Sequence, residues 1–269
     1  RSYRRCASSM PQFIAMAQTN NTSPQIGVGP KGWQGKRVGI TGANGELGRA
    51  LTEQLRARGA WVVGISHRAR VETHSPLQAA QDWVCWCSGE EAALDPTLRD
   101  LDVLVLNHGI NPGGDQAPEI LTKALEINAL SHWRLIQRFE QICVEDSLRP
   151  RELWVNTSEA EIQPALSPGY ELSKRLIGQL VSLRWSVPER RQSGLPLLRK
   201  LVLGPFRSTL NPIGVLSAAF VAKQVLVQVQ LGLPLIVVSP NPFTYVVMPL
   251  TELGRWLYNR TLRINHPDP

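Results

Sequence analysis

One unit near the start of the chain limits the fold more than any other: an apolar strand, a glycine-rich turn and an amphipathic helix. The strand covers residues 36–41, and the helix carries leucines on one face and ends at Gly59. Glycines let a backbone approach a pyrophosphate closely, and a helix N-terminus offers amide donors to it. The unit therefore predicts a phosphate-binding turn, whose candidate binding residues are Thr41, Gly42, Asn44, Gly45, Glu46, Leu47 and Gly48.

Strand and helix patterns alternate along the rest of the chain. Short apolar runs predict strands near residues 60–65, 83–87, 102–106, 153–155, 198–203 and 234–239. Amphipathic runs predict helices over 119–144, from Tyr170 to about 185, and over 217–230. The alternation predicts an α/β fold, a Rossmann-type doubly wound parallel sheet of about seven strands in a single domain. A chain of 269 residues is long enough for such a domain.

The two ends of the chain differ from this core, which is expected to span residues 34–240. Residues 1–33 mix Arg, Ser, Asn, Pro and Gly and predict a flexible N-terminal tail or linker, either to a further domain or left from a targeting segment. Residues 241–269 are apolar, with a helix expected over 251–262 beside Arg255, Arg260 and Arg263. Such a segment suits a substrate lid or a membrane-surface contact; the alternative is a helix packed on the domain or on a second subunit.

Composition narrows the class of partner. The formal net charge is +7, but no dense basic cluster interleaves with aromatic residues, so nucleic-acid binding is not expected. The four cysteines have no metal-ligand spacing, so no metal is expected, and Cys85 and Cys87 are interpreted as reduced core residues. These features favour a cytoplasmic protein, with a membrane contact at most peripheral, because no apolar run approaches the length of a membrane span.

Residues 152–174 carry the candidate chemistry. Ser158 ends an apolar strand, and Tyr170 and Lys174 lie four residues apart on a helix, so that both face one point. A neighbouring cation favours the ionised phenol and would lower its pKa. A hydroxyl, a phenol and a lysine can together pass a proton to or from a carbonyl oxygen. The alternative is an exposed tyrosine stacked along a lysine stem.

The end of the second strand bears on cofactor choice. An acidic residue there binds the ribose of NAD, whereas a basic residue accommodates the 2′-phosphate of NADP. This sequence has Ser66, His67 and Arg68 and no acid, and arginine suits phosphate. The pattern predicts a preference for NADP(H) over NAD(H); the alternative is a solvated turn that binds nothing.

In their order along the chain these landmarks resemble the short-chain dehydrogenase/reductase family, over about residues 33–235. The landmarks are Thr41-Gly42 to Gly48, Asn107-His108-Gly109, Asn128, Ser158, Tyr170-x-x-x-Lys174 and Gly204-Pro205. The run over 156–175 further resembles a cyanobacterial-type branch labelled bifunctional sterol desaturase/short-chain dehydrogenase.

The resemblance implies an NADP(H)-dependent oxidoreductase that interconverts a carbonyl and an alcohol by hydride transfer. It implies that Tyr170 is the acid/base, that Lys174 lowers its pKa and holds the nicotinamide ribose, and that Ser158 binds the substrate oxygen. Asn128 would support a water relay to Lys174. The remaining cofactor-binding residues would be Asn107, His108, Gly109, Gly204 and Pro205. The apolar C-terminal segment predicts a hydrophobic small-molecule substrate, lipid-like or otherwise bulky. Family members often pair through long helices, so a homo-oligomer is expected.

Several positions depart from the family pattern. Glu46 stands where the middle glycine is usual, Trp86 to Ser88 replace an acid that contacts adenine, and His108 replaces a small residue. Ser158 is one residue closer to Tyr170 than usual, so Thr157 is a substitute candidate. These departures motivate an alternative, a catalytically weak or inactive nucleotide-binding sensor or scaffold with the same fold. A membrane-surface domain that uses no nucleotide would require every landmark to be coincidental.

Overall fold

A computed structural model describes residues 32–67, 76–186 and 194–262. The strands are β1 (Arg37–Thr41), β2 (Trp61–Ser66), β3 (Asp82–Cys85), β4 (Val103–Leu106), β5 (Glu152–Ser158), β6 (Leu197–Leu203) and β7 (Leu235–Val238). The α-helices are α1 (Glu46–Arg56), α2 (Asp95–Asp100), α3 (Pro118–Leu125), α4 (Ser131–Glu145), α5 (Pro168–Trp185), α6 (Ala218–Gln230) and α7 (Thr244–Leu262). A π-helical turn, Glu126–Leu130, joins α3 to α4.

The seven strands form one parallel sheet in the order β3-β2-β1-β4-β5-β6-β7. The chain runs outward from β1 in one direction and then outward from β4 in the other. The boundary between β1 and β4 is therefore the topological switch point, where folds of this kind bind their ligands beyond the carboxyl ends of the strands. The predicted α/β fold and doubly wound parallel sheet are confirmed.

Apolar residues cover both faces of the sheet, as a parallel sheet requires. On one face α1 and α6 pack over a cluster that includes Val38, Leu51 and Val225. On the other face α4 and α5 pack over a cluster that includes Leu104, Phe139 and Ile177. Because helices cover both faces, a ligand of the sheet can reach it only at the strand ends.

The helix predicted over 119–144 is interrupted at Asn128. This side chain lies in the π-helical turn and is fully buried, with hydrogen bonds to the loop after β4 in place of solvent. A widened turn inside a helix accommodates one additional residue and often occurs at functional sites. The π-helical turn thus places a polar side chain in the interior, where its hydrogen bonds are satisfied.

Two other predictions are corrected. The last helix begins at Thr244 rather than at 251, since Pro249 lies within the helix and does not mark its start. Cys85 and Cys87 are exposed rather than in the core, since β3 is the edge strand of the sheet, while Cys143 is buried. Within the described ranges no helix is both long and apolar enough to cross a membrane.

Candidate active site

Ser158, Tyr170 and Lys174 meet at the carboxyl end of β5. Ser158 is the last residue of that strand, and α5 begins at Pro168, so Tyr170 lies in its first turn. The Lys174 ammonium nitrogen is 5.8 Å from the centroid of the Tyr170 ring and donates a hydrogen bond of 3.0 Å to the Asn156 carbonyl. The Ser158 hydroxyl lies close enough to the phenol to lower its pKa. The three groups that the sequence pattern selected therefore face one point.

The hydroxyl of Thr157 lies elsewhere. It is buried and donates to the Leu201 carbonyl of β6 (3.2 Å), so it is engaged inside the sheet. Ser158 also accepts a hydrogen bond from the Ala160 amide (3.2 Å), which fixes the turn that follows the strand. Ser158, and not Thr157, is therefore the hydroxyl beside Tyr170.

The electrostatics of this site differ from the sequence-based expectation. Burial raises the pKa of Tyr170; the nearby Ser158 hydroxyl opposes that rise and the Glu159 carboxylate adds to it. Burial lowers the pKa of Lys174 to about 8, against the pull of the Glu161 carboxylate. Burial thus shifts the pKa of Tyr170 in the direction opposite to the one predicted for Lys174, and the lowering of that pKa by Lys174 stays a prediction. At neutral pH the phenol is protonated and the lysine is charged.

Asn128 links the loop after β4 to α5. Its side-chain oxygen accepts from the Ile110 amide (2.8 Å), and its amide group donates to the Ile110 carbonyl and to the Ser173 hydroxyl (both 2.9 Å). Ser173 immediately precedes Lys174 in α5. Asn128 thus fixes the backbone beside the lysine, while its role in a water relay stays a prediction.

The glycine-rich turn has two positions that no other residue can fill. Gly42 has φ +66°, and a Cβ there would lie 2.8 Å from the Cα of His108. A Cβ on Gly48 would lie 2.4 Å from the Gly42 carbonyl oxygen. Gly45 has φ −75° and only ordinary clearance (3.4 Å), so it tolerates a side chain. Leu47, which follows the turn in α1, is buried in the hydrophobic core.

The Glu46 carboxylate has partners that reduce its repulsion of a phosphate. It lies 3.9 Å from the Arg49 guanidinium. It also accepts a hydrogen bond of 3.5 Å from the hydroxyl of Thr209, which lies in the loop after β6. Arg49 also donates to the Asn44 carbonyl of the glycine-rich turn (2.8 Å). The sequence reasoning missed Arg49 and Thr209; a basic residue one turn after Glu46 was the signal for the first.

The loop after β4 closes over the same turn. The Asn107 amide donates to the Thr41 hydroxyl (2.9 Å), and its side-chain oxygen accepts from Asn156 (2.9 Å). The Asn156 side-chain oxygen is buried and has no hydrogen-bond partner among the described residues. A Cβ on Gly109 would lie only 3.0 Å from the Asn128 side-chain oxygen, so little space is available there.

His108 stands in an aromatic cluster rather than in solvent. Its two ring nitrogens lie 2.8 Å from the hydroxyls of Thr41 and Ser131. Its ring centroid is 5.1 Å from that of Trp86 and 4.0 Å from that of His132. Burial, reinforced by the charge of Lys174, lowers the pKa of His108 to about 3, so the ring is neutral.

The remaining predicted residues lie at the same edge. Asn44 donates to the Ser66 hydroxyl (3.1 Å), and His67 is exposed beyond it, whereas Arg68 falls outside the described residues. Gly204 packs so closely that a Cβ would lie 2.7 Å from the ring of Pro240. Pro205 is half-buried in the loop that follows β6.

The residues present fit a dinucleotide. A side chain at Gly42 or Gly48 would clash with nearby backbone, and α1 begins directly after the turn, so its first amides are available to a phosphate. Within the described ranges the buried side-chain oxygen of Asn156 has no hydrogen-bond partner. A candidate pyrophosphate site and a candidate proton-transfer group therefore share one edge of the sheet.

The chain has the fold of solved short-chain dehydrogenases, and the ordered landmarks lie on one edge of its sheet. It is similar in structure to a short chain dehydrogenase from Burkholderia cenocepacia in complex with NADP (TM-score 0.68, 16% identity, covering 87% of this chain and 100% of that one). A short-chain dehydrogenase from Sphingobium yanoikuyae in complex with NADPH is also similar (TM-score 0.66, 16% identity, 87% and 98% covered). No protein-family model matches the chain.

Among curated proteins the chain is similar to a monoglucosyldiacylglycerol epimerase of the cyanobacterium Synechocystis. The two are 38% identical over 234 residues, which make up 84% of this chain and 55% of the relative. The chain thus spans about half the length of the curated relative it matches.

Proposed function

We propose that the chain is an NADP(H)-dependent oxidoreductase that interconverts a carbonyl and a secondary alcohol on a hydrophobic substrate. The observation that carries the proposal is the convergence of Ser158, Tyr170 and Lys174 beside the glycine-rich turn, at the switch point of the sheet. Proton-transfer groups and a pyrophosphate cradle at one edge are the two halves of such a reaction.

Each residue has a defined task in this proposal. Tyr170 gives its phenolic proton to the carbonyl oxygen in reduction and takes it back in oxidation, and Ser158 holds that oxygen. Lys174, anchored to the Asn156 carbonyl, supplies the positive charge that favours the phenolate once substrate and cofactor are in place. Bound NADP(H) would accept or donate the hydride, which no side chain can do.

The preference for NADP(H) is part of the proposal. The described end of β2 offers Ser66 and His67 and no carboxylate, and Arg68 follows in the sequence. Arg49 adds a guanidinium next to the glycine-rich turn. The structures of two similar dehydrogenases contain NADP or NADPH, which supports the same choice here.

The carboxyl edge suits a lipid-like substrate. Exposed apolar side chains follow each of three adjacent strands at this edge: Leu166 after β5, Ile213 and Val215 after β6, and Phe243 after β7. The curated relative is an epimerase of a glycosylated diacylglycerol. We therefore propose a glycolipid hydroxyl as the substrate class.

Epimerisation is the second candidate, and the 38% identity to the epimerase favours it. Oxidation of a carbinol to a ketone, followed by reduction from the opposite face, inverts the stereocentre and returns the cofactor to its starting state. Tyr170 would act first as base and then as acid within one turnover. Net oxidation and epimerisation thus use the same residues and differ in whether the ketone is retained.

A peripheral membrane contact would deliver such a substrate. The outer face of α7 exposes Leu250, Leu253 and Leu257, with Arg255 half-buried beside them. An apolar helix face bordered by cations suits an interface with anionic lipid. A homo-oligomer is expected as well; light scattering of the purified chain tests it.

The experiment offers monoglucosyldiacylglycerol in mixed micelles with NADP⁺ and measures the epimeric glycolipid and accumulated NADPH separately. Tyr170→Phe should abolish both products and leave NADPH binding in place, while the matched change Tyr258→Phe, on the exposed part of α7, should alter neither. Turnover by Tyr170→Phe at the wild-type rate would overturn the role of the phenol. Binding of NADPH without turnover of this lipid or of a panel of apolar ketones would favour the non-catalytic alternative.

A further inference from the structure

A second group of charged side chains is buried close to the site and has no part in the mechanism above. The Lys200 ammonium lies 2.6 Å from the Glu161 carboxylate, 2.8 Å from the Glu252 carboxylate and 3.1 Å from the Ser182 hydroxyl. It also donates to the Gly178 carbonyl at 3.1 Å. These five residues are called the Lys200 cluster below.

Burying the charges of this cluster carries an unfavourable desolvation free energy. The Lys200 side chain is 0% exposed and that of Glu161 is 4% exposed, so both charges have lost their water. A buried ion pair is often no more stabilising than apolar residues of the same volume. Packing alone therefore does not account for a lysine and two carboxylates here, and their location suggests what they do.

The Lys200 cluster continues the stripe of α5 that carries the catalytic candidates. Tyr170, Lys174, Gly178 and Ser182 follow one another at intervals of four residues, which places them on one face of the helix. At 1.5 Å per residue, Gly178 is about 6 Å along the axis from Lys174. Glu161 enters from the other side, three residues after Ser158.

Gly178 is the position that admits Glu161. A Cβ on this glycine would lie 1.9 Å from one carboxylate oxygen of Glu161 and 2.0 Å from its Cδ. The missing side chain thus lets the carboxylate rest against α5, one turn beyond Lys174. In that place its negative charge raises the pKa of Lys174, against the effect of burial.

Glu161 is the charged group among the described residues that raises the pKa of Lys174. Among the described residues, the other titratable groups that interact with it are Tyr170, whose pKa burial raises, and His108 and His132, whose pKa values burial lowers. All three are therefore neutral at neutral pH. Burial also raises the pKa of Glu161, and the Lys200 ammonium opposes that rise and favours the carboxylate.

We propose that Glu161, held by Lys200 and admitted by Gly178, is a positioning residue that keeps the ammonium of Lys174 charged in the active site. The inference rests on the role of Lys174 in the proposed function. Glu252 brings α7 into the same cluster, so the helix with the exposed apolar face is tied to the charge that acts on the catalytic lysine.

The test compares wild type with Gly178→Ala, which displaces the Glu161 carboxylate by contact alone, and with Glu161→Gln, which removes its charge in the same shape. Gly254→Ala in α7 is the matched control, since a Cβ there meets nothing within 4 Å. For each protein, NADPH affinity is measured by nicotinamide fluorescence across the pH range, with thermal unfolding alongside.

In both cluster variants the pH midpoint at which NADPH affinity falls should move about one unit lower than in wild type, as expected for loss of a nearby opposite charge. Gly254→Ala should keep the wild-type midpoint. Unchanged midpoints in Glu161→Gln would overturn the inference even if Gly178→Ala fails to fold. If wild type itself binds no NADPH, the proposed function fails first, and the two failures are thereby distinguished.

Discussion

Replacing Lys174 with methionine should stabilise the unliganded protein while removing its activity. Burial holds the pKa of this lysine at about 8, against 10.5 for a free side chain, a difference of about 2.5 units. At about 1.36 kcal/mol per unit, keeping the side chain charged in the fold costs about 3 kcal/mol at neutral pH. Methionine has a similar length and carries no charge, so that cost disappears.

The gain is partly offset by a lost hydrogen bond. The ammonium donates to the Asn156 carbonyl, and leaving that buried acceptor unpaired costs about 1 kcal/mol. The net stabilisation is therefore about 2 kcal/mol. For a domain of this size it corresponds to a rise in Tm of about 4–8 °C.

The pH dependence supplies the sign of the effect. A lysine whose folded-state pKa is lowered carries its full cost below about pH 8, and the cost vanishes once the unfolded chain also loses the proton, near 10.5. Thermal unfolding of wild type and Lys174→Met without nucleotide should thus differ most at pH 7 and converge as pH rises towards 10.

Lys200→Met provides the contrast, because that lysine has two carboxylate partners and its removal leaves them buried without a cation. It should destabilise by about 3–5 kcal/mol. A Lys174→Met protein that is no more stable than wild type at pH 7 would refute the reasoning.

Three further outcomes follow from the site. Gly48→Ala should weaken NADPH binding by about tenfold or more, because its Cβ would lie 2.4 Å from a backbone oxygen, whereas Gly45→Ala, with 3.4 Å of clearance, should bind nearly as wild type; equal affinities in a fluorescence titration would count against the cradle. Because the pKa of His108 is about 3 when folded and 6.5 when free, the free energy of unfolding should fall by up to about 1.4 kcal/mol for each unit by which pH is lowered from 6.5 towards 3. Urea titrations of His108→Gln should show a weaker dependence of that free energy on pH; an unchanged dependence would contradict the assignment. Ketone reduction should decline as pH rises through about 8, where Lys174 loses its charge, and Lys174→Arg should move that decline to higher pH; a profile that ignores the substitution would exclude the lysine as its cause.

The sequence predicts the elements that rely on local pattern. The unit from β1 to α1 is defined by adjacent residues, and the pair Tyr170 and Lys174 lies one helical turn apart. Such features follow from periodicity and turn chemistry alone. Bringing Ser158 to the same point requires only that β5 and α5 pack together.

Long-range electrostatics could not be predicted in this way. Lys200 meets Glu161 and Glu252 from positions 39 and 52 residues away, and no local pattern pairs them. The shift in the pKa of Tyr170 depends on how much water the fold removes, which a four-residue spacing does not encode. For the same reason the sequence suggested a lowered pKa where burial produces a raised one.

The alternative of a nucleotide-independent domain makes cofactor binding the decisive property. A side-by-side titration of the purified chain with NADPH and NADH, followed by nicotinamide fluorescence, tests it directly, with Gly48→Ala as the control for binding at the glycine-rich turn. The account predicts saturable binding of both nucleotides with clear preference for NADPH, and weakened binding in the variant. Absence of binding by either nucleotide would contradict the account.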